Sequence, residues 1–552
     1  MSHANGPRTG RPPSFGSRGM VSTPHTLASS AGLEILQRGG SAVDAAIAAN
    51  AALCVVYPHM AGLGGDGFWL IAGPGADGVE ALNASGPAAA AATIDYYRDK
   101  GHSSVIPARG ALAALSVPGA VDGWRLAHER HGKLPWAELF TAAIHHARHG
   151  MPVSRSLADW LVQDLAILRE YPETAQIFLP EGAPQREGAR LVQADLARSL
   201  QELANAGPRA FYEGSIARRI CAALGPAGSP LSPDDFAAYR ARWVDPITTS
   251  YRGYDIAQMP PSTQGFAALQ ILNLIEGFDM AALGEGSADY YHHLVEAVKV
   301  AFVDRDEWLT DPAFVDIPLD QLLSKDYAAG RRALIDPARA LGGDEIAPGI
   351  RYGDTARRDP PSGDTCYFCA ADSDGLVVSI IQSIYHDFGA AVMGGDTGIV
   401  MQNRGSFFAL DDSHPNRLEP GKQTFHTIIP AMMLQDGKPV LAYGTMGGEG
   451  QPQTQAAMIT RIVDYGFDVQ QAIEAPRWLM GRTWGTATSA LSLEARIPDE
   501  VIRELTLRGH PVQIAPAWSG TLGHAQAIRI DHATGFYEGG ADPRGDGAAM
   551  GW

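Results

Sequence analysis

Cysteine is scarce: Cys54, Cys221, Cys366 and Cys369 are the four in a chain of 552 residues. They are too few for a disulfide framework, and the one close pair, C-Y-F-C at 366–369, lacks the second pair of a four-cysteine zinc site. Such sparing use suits a reducing compartment. Positive charge is also in deficit, since 43 Lys and Arg against 61 Asp and Glu leave a net charge of −18. That balance works against phosphate backbones and anionic lipid, so neither nucleic acid nor membrane is expected as a partner. No run of about 18 uninterrupted apolar residues occurs, and the N-terminal MSHANGPRTGRPPSFGSRG carries basic residues without the apolar stretch of a signal peptide. Residues 1–19 therefore read as a flexible leader on a cytoplasmic protein. Two catalytic signatures are absent: the G-x₄-G-K-[ST] phosphate loop and the G-x-S-x-G elbow of serine hydrolases.

What is present suits a large buried core. Hydrophobic residues make up 45% of the chain and charged residues 19%, the balance of an ordinary globular protein. The length allows roughly three to four domain-sized units or one layered enzyme. Residues 26–52 show helical apolar spacing broken at Gly39 and Gly40, which predicts two buried helices. GLGGDG (62–67) then leads into the strand-like FWLIA. From 136 to 327 helical patterns dominate, with SPLSPDDF supplying N-caps and PPSTQG opening a helix at Phe266. Residues 341–364, LGGDEIAPGIRYGDTARRDPPSGD, read as an exposed linker. The character then switches to β: TCYFCAADSDGLVVSIIQSIY predicts two strands joined by a tight Asp374-Gly375 turn. A further strand, PVLAYGT, precedes the loop MGGEGQPQ and a helix over 454–465, and the tail reads as turns.

Several constellations could carry chemistry. GLGGDG matches G-x-G-x-x-G, but it precedes a strand where a dinucleotide fingerprint follows one, so close backbone packing is the plainer reading. His145 with His149, and His292 with Glu296, each sit at i, i+4 and could share a metal, yet neither pair has a third ligand at recognisable spacing. No metal and no cofactor is therefore expected. The loop at 444–453 could aim two backbone N–H groups at an oxyanion or serve as a plain tight turn. Thr365 opens a strand directly after the linker. Cleavage before it would place a hydroxyl nucleophile and an α-amino base in one residue, the amine titrating near pH about 8; an ordinary strand threonine is the alternative.

These motifs in this order, GGSAVDAAIAAN, AGLGGDGFWL, SVPGAVDGW, MPPSTQG, GDT and GTMGGEG, resemble the γ-glutamyltranspeptidases, a family of N-terminal-nucleophile hydrolases. The resemblance spans about residues 20–545. It implies an α+β fold built as a four-layer αββα sandwich. It also implies a proenzyme that cuts itself between Asp364 and Thr365 into an α subunit (20–364) and a β subunit (365–552), which stay together as one globular unit. A dimer of such αβ units is an open alternative. By the same resemblance Thr365 would be the nucleophile, Ser383 the hydroxyl that holds it, and Gly447 and Gly448 the oxyanion hole.

The substrate-binding positions depart from the family pattern. Its arginine for the α-carboxylate falls near Ser85, its serine pair becomes His426-Thr427, and its asparagine becomes Tyr385. The remaining ligands of the substrate's ammonium fall around Asn403, at Arg404 and Phe407. A guanidinium repels an ammonium and binds a carboxylate in a fork, which reverses the preference. The sequence thus predicts an N-terminal-threonine amidohydrolase for an oxamate-like or glutaryl-like amide, with Arg404, Tyr385, His426, Thr427 and Asn403 lining the pocket. A surface or outer salt bridge is the alternative for Arg404, and His426 could equally be a packed core histidine. The rival functions are a true γ-glutamyltransferase or glutathione hydrolase, an unprocessed binding protein, and a nucleotide-dependent oxidoreductase built on residues 62–67.

Overall fold

The structure, a computed structural model, describes residues 10–352, 364–482 and 488–552. Fourteen strands form two antiparallel sheets: β1 Ser14–Gly16, β2 Met20–Thr23, β3 Asp66–Ala72, β4 Val79–Ala84, β5 Arg242–Val244, β6 Ile247–Tyr251, β7 Tyr254–Gln258, β8 Asp364–Ala371, β9 Val377–Tyr385, β10 Ala431–Gln435, β11 Lys438–Thr445, β12 Ala525–Asp531, β13 Phe536–Ala541 and β14 Ala548–Gly551. One sheet runs β1-β13-β12-β11-β10-β7-β6 and the other β14-β2-β8-β9-β3-β4-β5. Smaller sheets of three and two short strands lie outside them.

The period-2 alternation of strands sorts side chains into layers. Along β8, Tyr367, Cys369 and Ala371 point between the sheets, where they meet Met432 and Leu434 of β10. Cys366, Phe368 and Ala370 point the other way, into a core shared with the helices α1 Thr26–Gln37 and α2 Ala42–Val56. On the far side Ala431 and Met433 face the helices α3 Gly265–Ile275, α4 Ala288–Trp308 and α5 Gly450–Val463. Helix, sheet, sheet, helix is the four-layer αββα sandwich that the family resemblance implies.

Local signals set several of these elements. Ser41 and Asp44 form a reciprocal capping box at the start of α2. Every residue of α2 is buried, and its alanines allow that close packing on both sides. The Asp374-Gly375 turn joins β8 to β9, with Gly375 at φ +91°.

Three regions differ from the sequence reading. In the expected leader, Ser14–Gly16 is an edge strand: its backbone pairs with 537–539 and the Ser14 hydroxyl donates to Ala549 O at 2.7 Å. Residues 1–9 lie outside the described residues. Within the stretch read as helical, β5 to β7 contribute to both sheets. The expected exposed linker is pinned over its described part, 341–352, because acidic side chains of α4 accept its backbone N–H groups: Glu296 from Leu341, Asp304 from Gly349 and Glu307 from Tyr352. Leu341 and Ile346 are buried as a result. The rest of that linker, 353–363, lies outside the described residues. No helix among the described residues is long and apolar enough to cross a membrane.

Candidate active site

Thr365, the second residue of β8, has no exposed surface. Its hydroxyl donates to Ser383 Oγ at 3.3 Å. A register break brings the two together. Asp364 pairs with Tyr385 and Cys366 with Gln382, so Thr365 alone lies opposite Ser383 and Ile384, and such a bulge re-aims the side chains beside it. Ser383 Oγ also accepts the Tyr385 N–H at 2.8 Å and Arg404 Nη2 at 3.3 Å.

Tyr385 takes φ +81°, an unfavourable conformation for a bulky residue. It is held there by its bond to Ser383 and by Asn403 Oδ1, which accepts the His386 N–H at 3.0 Å. The Asn403 amide also donates to Ala108 O at 2.6 Å and lies 2.9 Å from His386 Nδ1. The Asn403 amide is thus engaged with the protein and fixes the turn that follows β9.

Arg404 is 1% exposed. Its polar partners are two neutral hydroxyls, Ser383 Oγ and, from Nη1, Thr427 Oγ1 at 3.3 Å. The guanidinium lies 4.3 Å from the centre of the Tyr385 ring and 5.4 Å from that of Phe407, which stacks on Phe425. Among the described residues no carboxylate oxygen lies within 4.0 Å of it. Burial lowers its pKa from 12.5 to about 10.

Two neighbours complete the polar floor. Asp66, the first residue of β3, is the direct cross-strand partner of Ser383. Its Oδ1 accepts the backbone N–H groups of Gly119 at 3.0 Å and Gly86 at 3.1 Å. Its buried Oδ2 has no hydrogen-bond partner among the described residues and lies 3.8 Å from His426 Nε2. Burial raises the carboxyl to about 7. Neither ring nitrogen of His426 has a partner there, and burial, then Arg404, drives its pKa well below the ordinary value.

Gly447 and Gly448 follow β11 at the entrance to α5, with φ of +126° and +51°. Two consecutive positive φ values explain why this loop uses glycine. Gln264, just ahead of α3, ties the loop to the rest, since its Nε2 donates to Thr427 O at 2.6 Å and to Gly448 O at 3.0 Å. Thr365, Ser383, Arg404, Thr427, Gln264 and Gly448 are thus joined by successive hydrogen bonds. A hydroxyl able to attack, a glycine-lined turn and a desolvated cation together suit addition to a carbonyl whose acyl group carries an anion.

Sequence reasoning placed Asp66 and Gln264 inside quoted motifs without giving either a role. Asp66 carried a weak signal as the single acid in a glycine run before an apolar strand. Those glycines serve packing: an added Cβ at Gly64 would lie 2.2 Å from Val400 O, and one at Gly65 2.3 Å from Ser383 O.

The sandwich, with a threonine at the head of a central strand, defines an N-terminal-nucleophile hydrolase fold. Residues 28–552 match the family model described as Gamma-glutamyltranspeptidase. The chain belongs to that family, whose members are enzymes. It is 47% identical over 538 residues to the glutathione hydrolase-like YwrD proenzyme of Bacillus subtilis, covering 97% of this chain and 99% of the relative. It is 43% identical over 542 residues to the oxamate amidohydrolase proenzyme of Klebsiella pneumoniae, covering 97% and 98%. Among solved structures, cephalosporin acylase from Bacillus halodurans superposes with a TM-score of 0.91 at 35% identity, over 100% of this chain and 99% of that one.

Proposed function

We propose that this protein is an autoprocessing amidohydrolase that cleaves amides of a small carboxylate-bearing acyl group, oxamate-like or glutaryl-like, through an ester on Thr365. The observation that carries this reading is Arg404. A buried guanidinium whose partners are two neutral hydroxyls and two aromatic faces keeps a charge that an anionic ligand would complement. The printed names of two relatives, oxamate amidohydrolase and acylase, fit the same chemistry.

The reaction begins in the precursor. Thr365 Oγ attacks the Asp364 carbonyl, the peptide C–N bond breaks as an ester forms, and water hydrolyses the ester. This leaves the Asp364 carboxylate, the free Thr365 hydroxyl and a new α-amino group. The relatives' description as proenzymes supports such a step and two chains from one precursor, the larger ending at Asp364 and the smaller beginning at Thr365. In the mature enzyme that amine accepts the Oγ proton as the hydroxyl adds to the substrate amide, with Ser383 holding the hydroxyl in place. The Gly447-Gly448 turn would face the oxyanion with its N–H groups. Collapse expels ammonia or an amine carrying the transferred proton, and water then releases the carboxylic acid. Arg404, helped by Thr427 and bordered by Tyr385 and His426, would hold the far carboxylate.

Glutathione hydrolysis is the second reading, favoured by the name of the 47% identical relative. Against it speaks the comparison with the family pattern, in which Arg404 and Phe407 fall at positions expected to hold the substrate's ammonium. The test compares kcat/KM of the matured enzyme for oxamate and glutaramate with that for γ-glutamyl-p-nitroanilide. Faster turnover of the anionic amides supports the proposal, and faster turnover of the γ-glutamyl substrate overturns it.

A further inference from the structure

His292 and Glu296 lie one turn apart on the buried face of α4, and the sequence offers them no third partner. The fold supplies one: His510, from the loop after the helix Asp499–Leu507, packs against both. One ligand atom from each of the three residues lies within 4.8 Å of the other two, and all three residues are buried. We propose that His292, Glu296 and His510 form a binding site for a divalent transition-metal ion of the zinc class, which staples the segment before Thr365 to the segment after it.

The hydrogen bonds assign the ring nitrogens. His292 Nε2 lies 2.8 Å from Asp336 O, a pure acceptor, so that nitrogen carries the proton and Nδ1 presents its lone pair. A backbone carbonyl behind the far nitrogen is the usual support of a metal-binding imidazole. His510 Nε2 approaches His292 Nδ1 at 2.8 Å, so without an ion it donates its proton to that lone pair, and a metal bound by His292 Nδ1 would have to displace this hydrogen bond as the His510 ring turns. His510 Nδ1 is then a buried lone pair with no hydrogen-bond partner among the described residues, and it lies 4.0 Å from Glu296 Oε1. Two electron-rich atoms facing each other at that spacing leave room for a cation between them. Burial keeps both imidazoles in the neutral form that ligates metals, lowering His292 to about 4 and His510 to about 3.

Two imidazoles and a carboxylate match zinc and its neighbours in the first transition row, with bonds of about 2.0–2.2 Å after a modest contraction. Lys299 competes for the carboxylate: its Nζ lies 2.7 Å from Glu296 Oε1 and also donates to Leu341 O. Its side chain borders a surface cleft of about 420 Å³ that includes Ala340, Leu341 and Gly342. That cleft gives the ammonium a place to turn to. Glu296 Oε2 remains bonded to the Leu341 N–H. The other histidine pair, His145 and His149, is exposed and has no third ligand among the described residues.

The test uses matured, chelator-treated protein and Zn²⁺ alone. Isothermal titration should give one ion per αβ unit, and Zn²⁺ should raise Tm. Co²⁺ in its place should show the visible absorption of a site with imidazole ligands. Glu296→Gln keeps the acceptor for Leu341, and His510→Gln keeps the size of the ring site approximately. Each should weaken Zn²⁺ binding at least about tenfold and abolish the Tm rise, while His149→Gln should change neither. Absence of stoichiometric Zn²⁺ binding by the wild type, or unchanged binding in both Glu296→Gln and His510→Gln, would overturn the proposal. If those two variants do not fold, Lys299→Met decides: removing the competing ammonium must tighten Zn²⁺ binding, and weaker or equal binding refutes the site.

Discussion

Replacing Arg404 by Met separates binding from stability. The guanidinium is buried, and the drop of its pKa from 12.5 to about 10 means that the folded protein holds the charge at a cost of about 3 kcal/mol. Because this pKa is depressed, the cost is fully present at pH 7 and would fade only above pH 10. Methionine removes the charge and keeps most of the volume, while two hydroxyl contacts and two cation–π contacts are lost. Those losses, about 1 kcal/mol each, roughly offset the gain. The ligand-free variant should therefore keep a Tm close to that of the wild type. The effect on anionic substrates should be large, since losing a desolvated charge-assisted pair costs about 2 to 5 kcal/mol, or roughly 30-fold to several thousand-fold in kcat/KM. The assays are calorimetric melting with and without oxamate, and kinetics on an anionic amide and its uncharged analogue. Oxamate should raise the Tm of the wild type alone, and the uncharged analogue should be turned over almost equally by both proteins. Unchanged kcat/KM for the anionic amide, or a collapse of Tm without ligand, would refute the reasoning.

Asp66 makes a pH-dependent prediction. Burial raises its carboxyl from 3.8 to about 7, so its contribution to stability is fully present below about pH 4 and is lost as pH rises through 7. Asp66→Asn, which keeps the acceptor for Gly86 and Gly119, should match the wild type in chemical denaturation at pH 4 and exceed it at pH 8 by up to about 4 kcal/mol; equal pH dependence would show that Asp66 is ionised throughout. An ionised Asp66 would also compete for Arg404, so KM for an anionic amide should rise above pH 7 in the wild type and stay flat in Asp66→Asn. Gly447→Ala puts a side chain at φ +126°, which a non-glycine residue rarely adopts, and should lower kcat about 10² to 10³-fold if this turn supplies the oxyanion donors; kcat within a fewfold of the wild type would remove the loop from the mechanism.

The parts of the fold that were legible in the sequence are those set by local signals. The Gly39-Gly40 break separates α1 from α2, and the Asp374-Gly375 turn fixes the β8–β9 hairpin. What was hidden depends on distant partners. β1 exists because 537–539 accept it as a neighbour, and the strands of 242–258 run only three to five residues, too short for a periodicity to emerge from helical surroundings. The site divides in the same way. Thr365, Ser383, Arg404 and Thr427 stand at positions of recognisable motifs. Asp66 gains its place from the pairing of β3 with β9, and His510 from a contact 218 residues away from His292.

The central claim is tested most directly by intact-mass spectrometry of the purified full-length protein under denaturing conditions, with the N-terminus of each chain read out and Thr365→Ala run alongside. The account predicts two chains in the wild type, the smaller beginning at Thr365, and a single inactive chain in the variant. A single active chain in the wild type, or two chains in Thr365→Ala, would contradict it.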